Sequence, residues 1–109
     1  MASKISDIVN FSPGNVVYEE FTIDGNQEWK AQIDNLTEDL LQVAYPDDVL
    51  LDVGWYPAHN RKGQFQVRVI RDFQWDEPIF YAEVASLDVL RAVLEATRRT
   101  AAEAGLVAA

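Results

Sequence analysis

Hydrophobic positions along the chain follow two periods, one helical and one extended. Between residues 27 and 44, Trp29, Ile33, Leu36, Leu40 and Val43 recur at spacings of 4, 3, 4 and 3. That stripe predicts an amphipathic helix over Gln27–Ala44. Asn26 is placed to cap it, Glu28 falls in the first turn where the helix dipole favours negative charge, and Pro46 ends it. The opposite face carries Lys30, Asp34, Glu38 and Asp39, so Asp34, Glu38 and Asp39 form a candidate acidic docking face.

Three later segments alternate with period two, the mark of half-buried strands. In Val49–Tyr56 the set Val49, Leu51, Val53 and Trp55 points one way; in Gln64–Arg71 the set is Phe65, Val67 and Val69; in Ile79–Val84 it is Phe80, Ala82 and Val84. The loop Pro57–Gly63 reads as a hairpin connection, and centring it on Asn60 sets Trp55 opposite Phe65 and Asp52 opposite Arg68. Ser86 then caps a last helix from Leu87 to about Ala104, with Leu87, Leu90, Leu94, Thr97 and Ala101 as its buried stripe and Gly105 as its stop.

Ahead of these lie a lead-in over residues 1–15, ending in the turn cluster Ser12-Pro13-Gly14-Asn15, and a β-rich stretch Val16–Ile23 closed by Asp24-Gly25-Asn26. The lead-in is expected to be loosely ordered, and Leu106–Ala109 to fray. The expectation is one α+β domain: a three-stranded antiparallel meander, with a fourth strand if Val16–Ile23 joins it, packed by two helices in the order (β)-α-β-β-β-α.

Composition narrows the function classes. At 109 residues with 49% apolar and 25% charged residues, the chain can bury a core without staples. It has no cysteine, which excludes disulfides, thiolate nucleophiles and cysteine metal sites. No stretch reaches the apolar length of a signal peptide or a membrane span, so a cytoplasmic protein is expected. The net charge of −9 belongs to residues 1–60, where 11 acids face only Lys4 and Lys30; residues 61–109 hold 7 acids and 7 bases. Such a field repels nucleic acid and anionic lipid and steers a basic partner inward.

Candidate chemistry is sparse. The only histidine, His59, stands in a loop with no serine in a nucleophile-elbow context. The carboxylates show no metal-binding spacing, and the isolated Gly54 and Gly63 form no phosphate loop, so neither metal nor cofactor is expected. Helix–strand–strand–strand–helix is also the element order of double-stranded-RNA-binding domains. Their basic cluster at the start of the last helix is replaced here by Ser86-Leu87-Asp88, which argues against that function. Asp52, Arg68 and Glu83 are expected to form a cross-strand charge row on the outer sheet face. The same face carries Leu50, Tyr56, Ile70, Ile79 and Tyr81, and the loop before the last strand adds Phe73, Trp75 and Asp76. Clustered exposed aromatics mark interfaces, so Asp52, Tyr56, Arg68, Trp75, Asp76, Tyr81 and Glu83 are the candidate partner-binding residues.

Gly54-Trp55-Tyr56-Pro57, then Gly63-Gln64-Phe65-Gln66-Val67-Arg68-Val69, then Trp75-Asp76-Glu77-Pro78 resemble the small acidic immunity proteins of bacterial polymorphic-toxin and contact-dependent-inhibition systems. The resemblance covers about a third of the chain. It implies a non-enzymatic protein whose acidic residues meet the basic active site of a toxin domain. Two alternatives stand beside it. One is a small acid/base enzyme or ligand-binding domain using His59, Asp52, Glu83 or the Tyr56 and Tyr81 hydroxyls. The other is a secretion-chaperone-like protein or structural homodimer joined through the outer sheet face.

Overall fold

Period-two alternation governs more of the chain than the helical stripe suggests. The computed structural model describes residues 2–20, 22–24 and 36–107. Its strands are β1 (Ala2–Lys4), β2 (Asn15–Glu19), β3 (Thr22–Asp24), β4 (Leu41–Tyr45), β5 (Val49–Tyr56), β6 (Gln64–Arg71) and β7 (Phe80–Val84), followed by α1 (Leu87–Val107). Five of them make one antiparallel sheet in the order β2-β4-β5-β6-β7, and β1 pairs with β3. The class is α+β, as expected, but the sheet has five strands rather than three, and α1 is the one α-helix among the described residues.

The helix expected over Gln27–Ala44 is corrected at its C-terminal end. Leu41, Val43 and Tyr45 are buried while Gln42 and Ala44 are half-buried, the alternation of a strand. Leu36, Leu40 and Val43 are buried too, which is why a stripe of helical spacing could be drawn through them. Residues 36–40 reach β4 without helical structure: the Leu40 N–H donates to the Val53 carbonyl and the Trp55 N–H to the Thr37 carbonyl. Trp29, Ile33 and Asp34 lie outside the described residues.

The hairpin of β5 and β6 has the expected register, with Trp55 opposite Phe65 and Asp52 opposite Arg68. The two rings meet edge to face with centroids 4.8 Å apart. Trp55 Nε1 donates to the Asn60 carbonyl at 2.8 Å, locking the loop under its own strand. Gly54 is required here, since a Cβ would run into the Glu38 carbonyl oxygen where residues 36–40 cross β5.

One face of the sheet carries the core. Val43, Leu51 and Val69 form one row across β4, β5 and β6, with Leu41, Val53 and Val67 in the next. Against them α1 sets Leu90, Leu94, Thr97 and Ala101, the stripe read from the sequence, with Leu87 partly buried beside it. Ser86 Oγ accepts from the Val89 N–H, as a cap should. The helix passes through Gly105 to Val107 rather than stopping there.

The lead-in contributes to the same core. Ile5, Val9 and Phe11 are buried around a short 3-10 turn, Ile5–Asp7. Glu19 of β2 accepts from the Ser6 N–H at 2.9 Å and the Ser6 hydroxyl at 2.7 Å, while the buried Tyr45 hydroxyl donates to the Phe11 carbonyl. The β-rich stretch Val16–Ile23 divides, with β2 joining the main sheet and β3 pairing with β1.

Candidate functional site

Opposite the core, side chains of one register row cross the whole sheet: Tyr18, Gln42, Asp52, Arg68 and Tyr81, one from each strand. The charge row is thereby corrected. Arg68 faces Tyr81 on β7, and Glu83 stands one pair further along, opposite Gln66. Arg68 lies over two rings, 5.7 Å from the Tyr56 centroid and 5.0 Å from that of Tyr81, and its Nη2 donates to Gln66 Oε1. Cation–π contacts of this kind hold a guanidinium flat on the face.

Asp52 is only 3% exposed. Burial raises its pKa above the ordinary value; the hydrogen bond from Gln42 Nε2 opposes the shift, Asp39 adds to it and Arg68 opposes it. Gln42 reaches Asp52 because Leu41–Tyr45 is a strand paired with β5, an arrangement the helical spacing of its apolar residues does not disclose. Tyr56 and Tyr81 are also raised, first by burial and then by Asp52 and Glu83 respectively. The Tyr81 hydroxyl donates to Glu83 Oε1 at 2.5 Å.

The outer face is not uniformly wet. Ile70 is fully buried, Leu50 and Tyr56 are half-buried, and large exposed apolar groups stand at both edges of the sheet, Val16 and Val17 on β2 and the aromatic set at the β7 end. There Ile79 and Tyr81 are exposed, Trp75 is exposed in the loop between β6 and β7, and Phe73 is 72% exposed. Asp72 and Phe73 both adopt left-handed backbone, φ 54 and 57, and the Gln74 N–H closes the turn on the Arg71 carbonyl. A bulky aromatic held at positive φ is strained, so the turn presents Phe73 outward against its own backbone preference. Phe73, Gln74, Trp75, Asp76 and Glu77 line an open cleft of about 490 Å³.

Charge follows the same boundary. Residues 72–90 hold Asp72, Asp76, Glu77, Glu83 and Asp88 and no Lys or Arg, whereas Arg61, Lys62, Arg68 and Arg71 precede them without an acid. With Arg91, Arg98 and Arg99 against Glu95 and Glu103 in the remainder of the helix, these blocks cancel over residues 61–109. Of the proposed acidic helix face, Glu38 and Asp39 are exposed in the non-helical stretch before β4, and Asp34 is outside the described residues.

Of the groups named for acid/base chemistry, Tyr81 and Glu83 meet through a hydrogen bond, while His59 and Asp52 stand at different points along β5 and its loop. His59 sits in the β5–β6 loop at φ 58, its N–H donating to the Leu36 carbonyl, beyond the end of the strand whose middle holds Asp52. At the usual rise, Tyr56 alone is about 13 Å along β5 from Asp52. Glu83 is exposed on the edge strand, two strands away from β5. Among the described residues no group of three or more His, Asp or Glu side chains is placed to hold a metal ion, and no helix is long and apolar enough to cross a membrane.

The chain is thus an α+β domain with a five-stranded antiparallel sheet, α1 on one face and an aromatic, acidic rim at the β7 end. No protein-family model, no curated protein and no solved structure matches it.

Proposed function

We propose that the protein is a non-catalytic binding module that docks a basic protein partner through the β6–β7 loop and β7. The observation that carries this reading is the exposure of Phe73, Trp75, Ile79 and Tyr81 within one stretch that has five carboxylates and no base. Aromatic anchors supply contact area at small entropic cost, and a rim of one charge sign accelerates encounter with the opposite sign. An immunity protein that occludes a basic toxin domain is the form of this reading that the sequence resemblance implies.

The test is to co-express the protein with the product of the adjacent reading frame and measure binding by calorimetry and stopped flow. A Phe73→Ala/Trp75→Ala double variant is expected to weaken binding by about tenfold or more, equivalent to about 1.4 kcal/mol. Added salt is expected to slow association far more than it speeds dissociation. Unchanged affinity in the double variant would remove the reading, and failure of the neighbouring product to bind would remove its immunity form.

A further inference from the structure

The backbone of β7 carries a second kind of information. The Trp55 N–H turns to Thr37 and the Val53 carbonyl to Leu40, so odd-numbered residues of β5 face β4 and even-numbered ones face β6. Asp52 and Gly54 are paired with Arg68 and Gln66, which leaves Phe65 and Val67 of β6 turned toward β7, where they meet Val84 and Ala82. The N–H and C=O groups of Tyr81 and Glu83 therefore point away from β6. Among the described residues no strand lies beyond β7 in the sheet. The side chains of this edge alternate as well: Tyr81 and Glu83 are exposed on the outer face, while Phe80 and Ala82 are only half-buried on the core face.

We propose that this edge receives an extended segment of the partner as a sixth strand, one in which basic and apolar residues alternate. The proposal rests on the binding reading above and names the mode of docking. Main-chain bonds to Tyr81 and Glu83 would give affinity, and the two faces of the edge would give specificity. On the outer face a Lys or Arg would meet Glu83, the Tyr81 ring already carrying Arg68; on the core face an apolar side chain would cover Phe80 and Ala82 beside Leu87. A second copy of this chain is the less fitting occupant. Pairing β7 with itself brings two sets of Asp72, Asp76, Glu77, Glu83 and Asp88 together, with no Lys or Arg among residues 72–90 to offset them.

The probe is a capped synthetic peptide of about eight residues, the length of an ordinary strand, in which Lys and Val alternate. Its control is the same peptide N-methylated at the residues that would face β7. Binding of the first peptide to the full chain is expected to slow hydrogen exchange at the Tyr81 and Glu83 amides and to be lost with the methylated one. Glu83→Pro removes an outward donor, a substitution that edge strands tolerate, together with the carboxylate that accepts from Tyr81, and is expected to weaken binding by about tenfold or more; Glu83→Gln, which keeps the donor and removes the charge, is expected to lose less. Absence of peptide binding, binding without protection of those two amides, or equal binding of the methylated peptide would overturn strand addition. So would protection of the same amides in the protein alone together with a dimer by light scattering. If the adjacent-frame partner loses affinity with Phe73→Ala/Trp75→Ala while the edge amides stay unprotected, the binding reading stands and only the mode fails.

Discussion

Arg71 Nη2 donates to the Ala104 carbonyl at 2.6 Å, tying the end of β6 to the last turns of α1. Helix ends leave carbonyls without intrahelical donors, and a cation there also meets the negative end of the dipole. The Nε of the same side chain faces the Asp47 carboxylate at 3.8 Å, a charge contact too long for a hydrogen bond. Arg71→Ala is expected to destabilise the protein by about 1–2 kcal/mol, seen as a lower urea midpoint with an unchanged slope. Asp47→Asn, which keeps a side chain suited to the left-handed backbone at this position (φ 66), should change little, because exposed ion pairs contribute weakly.

Asp52 sets a pH dependence of known sign. Its folded pKa lies above the ordinary 3.8, chiefly because burial disfavours the charge. The folded state therefore binds this proton more tightly than the unfolded chain, so the contribution of Asp52 to stability is fully present below about pH 4 and is lost as pH rises through the folded pKa. Asp52→Asn keeps an acceptor for Gln42 and removes the charge. It is expected to be more stable than the parent at pH 7, with the difference closing toward pH 4 in paired denaturation series.

Tyr45 is the alkaline counterpart. Burial pushes its hydroxyl up to about 12, with Arg98 opposing, and it donates to the buried Phe11 carbonyl. Here the neutral form is the stabilising one: its contribution is present below pH 10 and is lost as pH rises toward 12. Tyr45→Phe leaves the Phe11 carbonyl with the Gly14 N–H as its donor and is expected to cost about 1 kcal/mol at neutral pH, the net worth of one hydrogen bond, while reducing the alkaline decline. Thermal melts between pH 7 and pH 12 read both effects.

What the sequence discloses depends on whether one period stands alone. β5, β6 and β7 have clean alternation with turn residues between them, so the register of Trp55 with Phe65 is readable from loop length and pattern. Leu36, Leu40, Leu41, Val43 and Tyr45 satisfy a helical and an extended template at once, and only the crossing over Gly54 decides between them. Ile5, Val9 and Phe11 fit neither period, because they are held by a 3-10 turn and by hydrogen bonds from distant residues. For the site, Tyr56, Arg68, Trp75, Tyr81 and Glu83 were legible as outward positions. The burial of Asp52 was not, since its partner Gln42 belongs to the strand that mimicked a helix.

The strand order also ranks the sheet's contacts by the length of chain each must close. β4 to β7 pair with their sequence neighbours through short connections, whereas β2 reaches β4 only after the chain has run from residue 20 to residue 40. Loop-closure entropy rises with that length, and the late contact carries Glu19 and with it Ser6. As the chain leaves the ribosome, β4 must already be out before β2 has a partner. The hairpins that follow can then close in the order of their synthesis, so the N-terminal cover is the part of the fold that waits.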